Sequence, residues 1–361
     1  MYPRVEVDLQ KIRHNAAQLV KRAKRQRIEL WAVTKVLSGR LPQVGRVLLD
    51  SGMTGLAEAR LDNLQRWSAA GVAGRKVLLR LPAPSQAQQV VVTADISLNS
   101  QLATLTALSA AAVGLGVRHR VLLMVDLGDL REGVWPEDLP HLARQAMLLP
   151  GIEPLGIGTN LTCFGGVIPS AKSLGELVAL AQDLEARGIM QSAIISGGNS
   201  SSWHLLEQGE MPVGINNLRL GDAVLLGHDP VGFVPITGLH TDAFVLRAEV
   251  IEVLVKPSVP IGRIGRDAFG NVPRFQDRGL RRRAILAIGR QDVDPAGLTP
   301  LQPGVEVLGA SSDHLVLDTT DFPGDVCAGD TFAFSLNYVA LLRASTSKDV
   351  QFTCCQSATA N

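Results

Sequence analysis

The sequence predicts an α/β fold in which a (β/α)8 barrel of the TIM type is followed by a C-terminal β-domain. Up to about residue 230, short apolar runs alternate with amphipathic helical stretches, and beyond it only strand-like runs follow. Strands separated by helices imply right-handed crossovers and a parallel sheet. Eight such runs match a closed barrel better than a doubly wound open sheet. We place the barrel at 9–230, and the β-domain at 231–361 together with an N-terminal strand at 1–8.

The eight barrel strands are predicted from runs of four to eight residues rich in apolar side chains. They are IELWAV (28–33), TGLAEA (54–59), KVLLRL (76–81), DISLN (95–99), RVLLMVD (120–126), EPLGIGTN (153–160), SAIISGG (192–198) and NNLRLGD (216–222). Helical patterns lie between them. In SLGELVALAQDLEARG (173–188), Ser173 and Glu176 predict a capping box and Gly188 predicts the helix end.

The remaining chain reads as strands with the alternating pattern of a half-buried sheet. The runs are TDAFVLRAEVIEVLV (241–255), AILAIG (284–289), GVEVLGA (304–310), HLVLDTT (314–320) and TFAFSLNY (331–338). Segment 257–282 is rich in Pro, Gly and charge and predicts a long functional or interface loop. The basic cluster 278–283, which overlaps the end of this segment and precedes an apolar strand, predicts a solvated turn or an anion-binding edge. The last residues, 346–361, show little periodicity, and we expect them to fray.

Composition and charge exclude several classes of function. The 361-residue chain is 46% apolar and 19% charged with a formal net charge of +1, which gives no bias toward nucleic acid or acidic membranes. No apolar signal region begins the chain, and no apolar segment reaches the ~20 residues of a membrane helix. We therefore expect a cytoplasmic protein without nucleic-acid or membrane partners. The cysteines and histidines lack metal-ligand spacing, so we expect free thiols and no metal site.

Polar residues follow most of the predicted barrel strands, at the end where (β/α)8 barrels carry their active sites. They are Lys35, Glu58, Arg80, Asn99, Asp126, Asn160, residues 197–200 and Arg219. Any strand leaving a core must end in something polar, so each residue alone has a structural explanation. Taken together, this set favours a site at the barrel mouth.

Two of these strand ends suggest a phosphate site. SGGNSSSWHLL (196–206) places glycines and serines at the start of a helix, and RLGD (219–222) adds a second glycine turn. They follow strands seven and eight, where barrels frequently bind phosphate. Because Lys35 ends strand one, a phosphorylated aldehyde held by a lysine is predicted, and pyridoxal phosphate fits.

The chain resembles the alanine racemase family of fold-type III pyridoxal-phosphate enzymes, and within it the ornithine racemase-like branch. The motifs that carry the resemblance include YPRVEVDLQKIRHN, VTKV, LMVDLGDLREGVWPEDL, GIGTNLTCFGGVIP, ISGGNSSS, LRLGDAVLLG and AIGRQDVDPAGLTP. By this resemblance Lys35 forms the Schiff base, Ser200, Gly221 and the Asp222 backbone hold the phosphate, and Arg219 lies on the pyridine nitrogen.

The resemblance implies three more cofactor-binding residues, and at some positions this sequence departs from the family pattern. Asn199 belongs to the phosphate loop, and Arg131 corresponds to an arginine near the cofactor phenolic oxygen and the substrate carboxylate. Asn160 replaces the family's ring-stacking histidine. Arg290 occupies the position of the tyrosine that serves as the family's second base, and an arginine is a poor base at neutral pH.

The reaction predicted from these residues is racemisation. An arginine on the pyridine nitrogen disfavours its protonation and weakens the electron sink, which suits brief deprotonation and reprotonation at Cα. Lys35 would act as base on one face. For the other face, Asp292, Asp313 and Cys163 remain candidates, and we favour Asp292 because it lies in the same stretch as Arg290.

We expect a racemase of ornithine or a similar basic amino acid. The carboxylates that could receive a distal ammonium are Asp267, Asp277, Asp292 and Asp313. The alternatives are a broad-specificity or alanine-type racemase, a decarboxylase or lyase of the same fold type, and a non-catalytic cofactor-binding protein. The resemblance also implies a head-to-tail homodimer with two composite active sites.

Overall fold

The computed structural model describes residues 2–355 and divides the chain into two compact units. One is Leu9–Thr241, and the other comprises the described residues of Met1–Asp8 and Asp242–Asn361. The division lies after the predicted boundary at residue 230. The reason is that Asn15 exchanges two hydrogen bonds with the His240 backbone, at 2.7 and 2.8 Å, which ties the last residues of this unit to its first helix.

Eight parallel strands of the first unit close into a barrel, which confirms the predicted fold class. With the N-terminal strand β1 (Arg4–Asp8) counted first, the barrel strands are β2 (Glu29–Val33), β3 (Gly55–Glu58), β4 (Arg75–Leu78), β5 (Ile96–Asn99), β6 (His119–Met124), β7 (Ile152–Gly158), β8 (Ile194–Ser196) and β9 (Asn217–Leu220). Closure comes from β2 pairing with β9, in a register that runs from Glu29 opposite Asn217 to Ala32 opposite Leu220.

Helices connect the barrel strands, as the βα alternation predicts. They are α1 (Leu9–Lys24), α2 (Pro42–Asp50), α3 (Leu61–Ala69), α4 (Ala87–Thr93), α5 (Leu102–Gly114), α6 (Leu139–Met147), α7 (Ala171–Ala186), α8 (Trp203–Gln208) and α9 (Asp222–Leu225). A small hairpin of β10 (His228–Asp229) and β11 (Val234–Pro235) follows. Among the described residues, no helix combines the length and apolar character needed to cross a membrane.

Alternate residues of neighbouring strands form the apolar interior of the barrel. The cluster consists of Trp31, Val33, Ala57, Val77, Ile96, Leu98, Leu122 and Met124. Because side chains alternate along a strand, the pairs at 31 and 33, 96 and 98, and 122 and 124 share one face. This packed interior supports the strand ends that carry the polar residues.

The start of α7 differs from the prediction. Ser170 is its N-cap, and the Ser170 Oγ accepts from the Ser173 N–H at 3.1 Å while the Ser170 N–H donates to the Ser173 Oγ at 3.0 Å. This reciprocal pair completes a capping box one turn before the predicted box of Ser173 and Glu176. The predicted box was therefore wrong, because Ser173 is the third helical residue and not the cap.

The second unit contains an eight-stranded sheet. Its later elements are β12 (Phe244–Pro257), β13 (Leu280–Leu286), β14 (Leu298–Pro300), β15 (Glu306–Ala310), β16 (Leu315–Asp318), β17 (Thr331–Leu336), α10 (Tyr338–Thr346) and β18 (Gln351–Cys355). The sheet order is β14-β17-β12-β13-β16-β15, and β1 joins it by pairing with both β12 and β18.

Two sequence predictions for this unit were wrong. The basic cluster 278–283 is no solvated turn or anion-binding edge, because β13 begins at Leu280 and Arg281 donates to Asp318 at 2.8 Å and to Asp321 at 2.6 Å. Nor do the last described residues fray, since Gln351–Cys355 pairs in parallel with β1. Residues 356–361 of the predicted tail lie outside the described part of the chain.

Candidate active site

Lys35 lies at the carboxyl end of β2, beside a buried carboxyl group. It opens a short 3-10 turn, and Thr34 before it donates from Oγ1 to the Glu58 Oε1 at 2.8 Å. Asn63 donates from Nδ2 to the other Glu58 oxygen at 2.9 Å. Burial raises the pKa of Glu58 to about 7, and the Lys35 charge opposes this rise. Glu58 therefore holds Thr34, the residue before Lys35, and interacts with the charge of Lys35.

The predicted phosphate residues meet between the loop after β8 and the start of α9. The Ser200 Oγ accepts from the Gly221 N–H at 3.0 Å and from the Ala223 N–H at 3.2 Å. Among the described residues, the buried Ser201 Oγ and Asp222 Oδ1 have no hydrogen-bond partner. Burial raises the pKa of Asp222 to about 6, against the Lys35 charge. The buried Ser201 hydroxyl, which follows Ser200 in the chain, is therefore a free donor that fits a phosphate ligand.

Arg219 spans the interior of the barrel mouth and is only 2% exposed. Its Nη1 donates to the Ser196 Oγ, and its Nη2 donates to the Thr159 carbonyl at 2.7 Å. Burial lowers the pKa of Arg219 to about 10, while the nearby charge of Glu132 raises it. The guanidinium is thus protonated at neutral pH and fixed by two neutral acceptors.

Asn160, Asn199 and Cys163 are joined above the strand ends. Asn199 Nδ2 donates to the Asn160 Oδ1 at 3.0 Å, and its Oδ1 accepts from the Ser201 N–H at 2.7 Å. Asn160 Nδ2 donates to the Cys163 Sγ at 2.9 Å. The two asparagines therefore link the loop after β7 to the phosphate loop, and Cys163 is an exposed thiol at the same place.

The loop after β6, which carries Arg131, is held by a carboxylate and a glycine. Asp126 accepts from three backbone N–H groups, those of Gly128, Leu130 and Arg131, at 2.9, 3.3 and 3.1 Å. Gly133 has a φ of +132°, and a Cβ there would lie 2.3 Å from the Asp126 backbone nitrogen. The backbone of this loop is consequently fixed, and with it the place of Arg131.

A second carboxylate joins this loop to the loop after β7. Asp129 is 1% exposed, and its oxygens accept from the N–H groups of Cys163 at 3.1 Å, Phe164 at 2.9 Å and Val167 at 3.3 Å. Because the Asp129 side chain joins the loop after β6 to the loop after β7, Arg131 and Cys163 lie on two loops that are held together at the barrel mouth.

Asp292, the favoured second base, is engaged elsewhere. It is 6% exposed, its Oδ1 accepts from the Ser347 Oγ at 2.7 Å, and its Oδ2 accepts from the Gly289 N–H at 3.4 Å. These contacts make it a link between a turn and the end of α10. Asp292 as the second base therefore stays a prediction, and in this structure both of its carboxylate oxygens accept hydrogen bonds.

The other β-domain candidates also serve their own turns. Asp267 accepts from Phe269 and Asn271, Asp277 accepts from Ser258 and Gly279, and Asp313 accepts from Gln291 and Ser312. Arg290 donates to the Ala310 carbonyl at 2.9 Å and lies over the Phe269 ring at 4.8 Å. No group of three or more His, Cys, Asp or Glu in residues 2–355 forms a candidate metal site.

Sequence reasoning missed four residues of the barrel mouth. Ser196 and Thr159 hold Arg219, Asp129 joins two loops, and Glu132 faces two arginines. A hydroxyl residue at the end of each of two apolar runs, and the acidic neighbours of Arg131 in LGDLREG, were the available signals. The contacts themselves join residues far apart in the chain, and no local pattern reveals them.

The chain is similar to a known protein family and to two characterised racemases. A family profile described as alanine racemase, N-terminal domain, matches residues 7–229. An ornithine racemase of Acetoanaerobium sticklandii is 42% identical over 97% of this chain and 99% of its own, and a lysine racemase of Thermotoga maritima is 42% identical over 97% and 98%.

Solved structures show the same fold at lower identity. Alanine racemase from Bacillus anthracis, with bound L-Ala-P, is 18% identical with a TM-score of 0.75, over 99% of this chain and 96% of that one. The profile match and the two relatives, taken with a barrel mouth that fits a phosphate, show that the chain belongs to the alanine racemase family of pyridoxal-phosphate-dependent enzymes.

Proposed function

We propose that this protein is an amino-acid racemase that interconverts the L and D forms of ornithine or a similar basic amino acid. The observation that carries the proposal is the 42% identity, over 97% of the chain, to both an ornithine and a lysine racemase. Both relatives are named as racemases, and ornithine and lysine both have a basic side chain.

Pyridoxal phosphate, when bound, supplies an electron sink that acidifies the Cα proton of an attached amino acid. We propose that the Lys35 Nζ joins the cofactor covalently, and that Ser200, Gly221 and the Asp222 backbone hold its phosphate. Asn160 and Asn199 would border it. The unsatisfied Ser201 hydroxyl beside this cradle supports the assignment.

Two arginines would shape the reaction. Arg219 is protonated and only donates hydrogen bonds, so it would hold a pyridine nitrogen unprotonated and keep the electron sink weak, which would limit diversion into other reactions. Arg131 would bind the substrate carboxylate as a charged donor. Lys35 would remove and return the Cα proton on one face.

Cys163 is our candidate for the proton carrier on the other face. Of Asp292, Asp313 and Cys163, it is the one on the barrel-mouth loops, while Asp292 accepts hydrogen bonds from Ser347 and Gly289. The thiol accepts a hydrogen bond from the Asn160 amide at 2.9 Å. It therefore lies among groups proposed to border the cofactor.

Solvent exchange tests the proposal directly. L- and D-ornithine, lysine and alanine are incubated with the holoenzyme in heavy water, and deuterium at Cα and chirality are measured. We expect exchange with inversion for ornithine and lysine, and weaker turnover of alanine. Exchange without inversion would exclude racemisation, and turnover of alanine alone would exclude the basic substrate class.

We also propose a homodimer in which each active site takes residues from both subunits. Family membership supports the assembly. Light scattering should then give about twice the chain mass of 38.5 kDa. A monomer of full activity would contradict a composite site.

A further inference from the structure

Glu132 is an acidic side chain enclosed by the arginines of the barrel mouth. Its side chain is 14% exposed, and its Oε2 forms an ion pair with the Arg131 Nη1. It also interacts with the charge of Arg219, which extends from β9. A single carboxylate thus faces two guanidinium groups that come from different strand ends.

The environment of Arg219 shows why a carboxylate is needed there. Both of its hydrogen-bond acceptors, the Ser196 hydroxyl and the Thr159 carbonyl, are neutral. A buried charge without a counter-charge is unfavourable by several kcal/mol, roughly. Among the charged groups that act on Arg219, Glu132 favours its protonation and Arg131 opposes it.

Arg131 needs orientation for a different reason. Its side chain is 40% exposed, and an exposed arginine samples many rotamers unless a partner holds it. The loop backbone is fixed by Asp126, so the pairing with Glu132 is what fixes the guanidinium itself.

We infer that Glu132 is a positioning residue, whose carboxylate orients Arg131 toward the substrate carboxylate and offsets the charge of Arg219 beside the cofactor ring. The inference rests on the proposed function, because the roles of both arginines do. Glu132 itself exchanges no proton with the substrate.

Three variants separate orientation from charge. Glu132→Gln removes the charge, Glu132→Asp keeps the charge but withdraws it from Arg131, and Glu137→Gln makes the same chemical change on an exposed residue nearby. The readouts are the KM and kcat for ornithine and the pH midpoint of the absorbance change of the bound pyridoxal phosphate.

Removing an anion lowers the pKa of neighbouring cationic groups. For Glu132→Gln we expect the midpoint to fall by about one pH unit and KM to rise about ten-fold with a smaller change in kcat. Glu132→Asp should raise KM and leave the midpoint unchanged. Glu137→Gln should change neither.

A purely structural role predicts a different result. If Glu132→Gln lowers only the melting temperature, with KM and midpoint as in the wild type, the inference is wrong. Should Glu132→Gln fail to fold, a Glu132→Asp enzyme with wild-type KM would overturn the orienting role. If the wild type exchanges no amino acid, the proposed function fails, and the midpoint shift still decides whether Glu132 acts on the cofactor site.

Discussion

Glu58 in the barrel unit and Asp318 in the β-domain are both buried, at 0% and 3% exposure, yet their pKa values move in opposite directions. Burial raises the pKa of Glu58, whose hydrogen-bond donors Thr34 and Asn63 are neutral. Burial acts on Asp318 as well and raises its pKa, but the hydrogen bonds from Arg281 and Thr320, together with the Arg281 charge, outweigh burial and lower the pKa overall. The sheet pairs its buried carboxylate with an arginine, whereas the side chains that donate to Glu58 in the barrel are neutral.

The arginines show the same contrast. Burial lowers the pKa of Arg219, and Asp318 and Asp321 raise the pKa of Arg281. Shifts in which burial outweighs the compensating charges are concentrated at functional sites, because they keep groups ready to exchange protons or bind charged ligands. The comparison therefore predicts that matched substitutions will affect activity in the barrel mouth and only stability in the sheet.

The largest effect is expected from Lys35→Ala. Loss of the amine removes both the covalent attachment and the base, so activity should fall by more than about 10³-fold. Borohydride reduction followed by mass spectrometry should find the cofactor on Lys35 in the wild type and no adduct in the variant. Lys256→Ala, which loses an ion pair to Glu252 in the sheet, is the control and should keep both activity and adduct.

Cys163→Ala should abolish inversion while leaving part of the exchange. A missing acid or base costs about 10²–10⁴-fold, and Lys35 would still exchange the proton on its own face. Deuterium should then enter one enantiomer of ornithine without formation of the other. Cys327→Ala, an exposed thiol of the β-domain, is the control. If Cys163→Ala racemises ornithine as fast as the wild type, Cys163 is not the second base, and that base must come from the β-domain or the partner subunit.

Arg219→Lys should reduce turnover about a hundred-fold, because a lysine cannot reproduce the fixed fork of donors. The two acceptors of Arg219, on Ser196 and Thr159, would lose a planar partner. Side products from amino-group transfer should increase as the ring nitrogen becomes easier to protonate. Arg281→Lys is the matched change in β13, and an equal loss of activity there would invalidate the comparison.

The barrel and its mouth could be predicted because they depend on local patterns. Apolar runs give the strands, and their ends give Lys35, Asn160 and Arg219. What could not be predicted depends on pairing between distant residues. Arg281 meets Asp318 across two strands, and Gln351–Cys355 is ordered by β1 at the other end of the chain. Asp292 resembled a free carboxylate because its partner, Ser347, lies far along the sequence.

Glu58 should make stability depend on pH between its unfolded and folded pKa values. The folded pKa of about 7 exceeds the ordinary 4.5, so the folded state holds this proton more tightly. Its contribution is complete below pH 4.5 and is lost as the pH rises through 7, a change of about 3 kcal/mol in the free energy of unfolding. Denaturant titrations of the wild type and Glu58→Gln at pH 5 and 8 measure this change in the free energy of unfolding. Because glutamine cannot ionise, the variant should lose this pH dependence.

Asp318→Asn should show the opposite pH dependence and a smaller effect. The folded pKa of Asp318 lies below its ordinary value of 3.8, so its contribution is present above that pH and is lost as the pH falls further. A hydrogen bond between charged groups contributes about 2 kcal/mol, which the variant should lose at pH 7 and progressively less as the pH falls below 3.8. Racemisation should be unaffected. If instead Asp318→Asn and Glu58→Gln shifted stability with the same pH dependence, the two buried carboxyl groups would share one protonation state, and the barrel mouth would not differ electrostatically from the sheet.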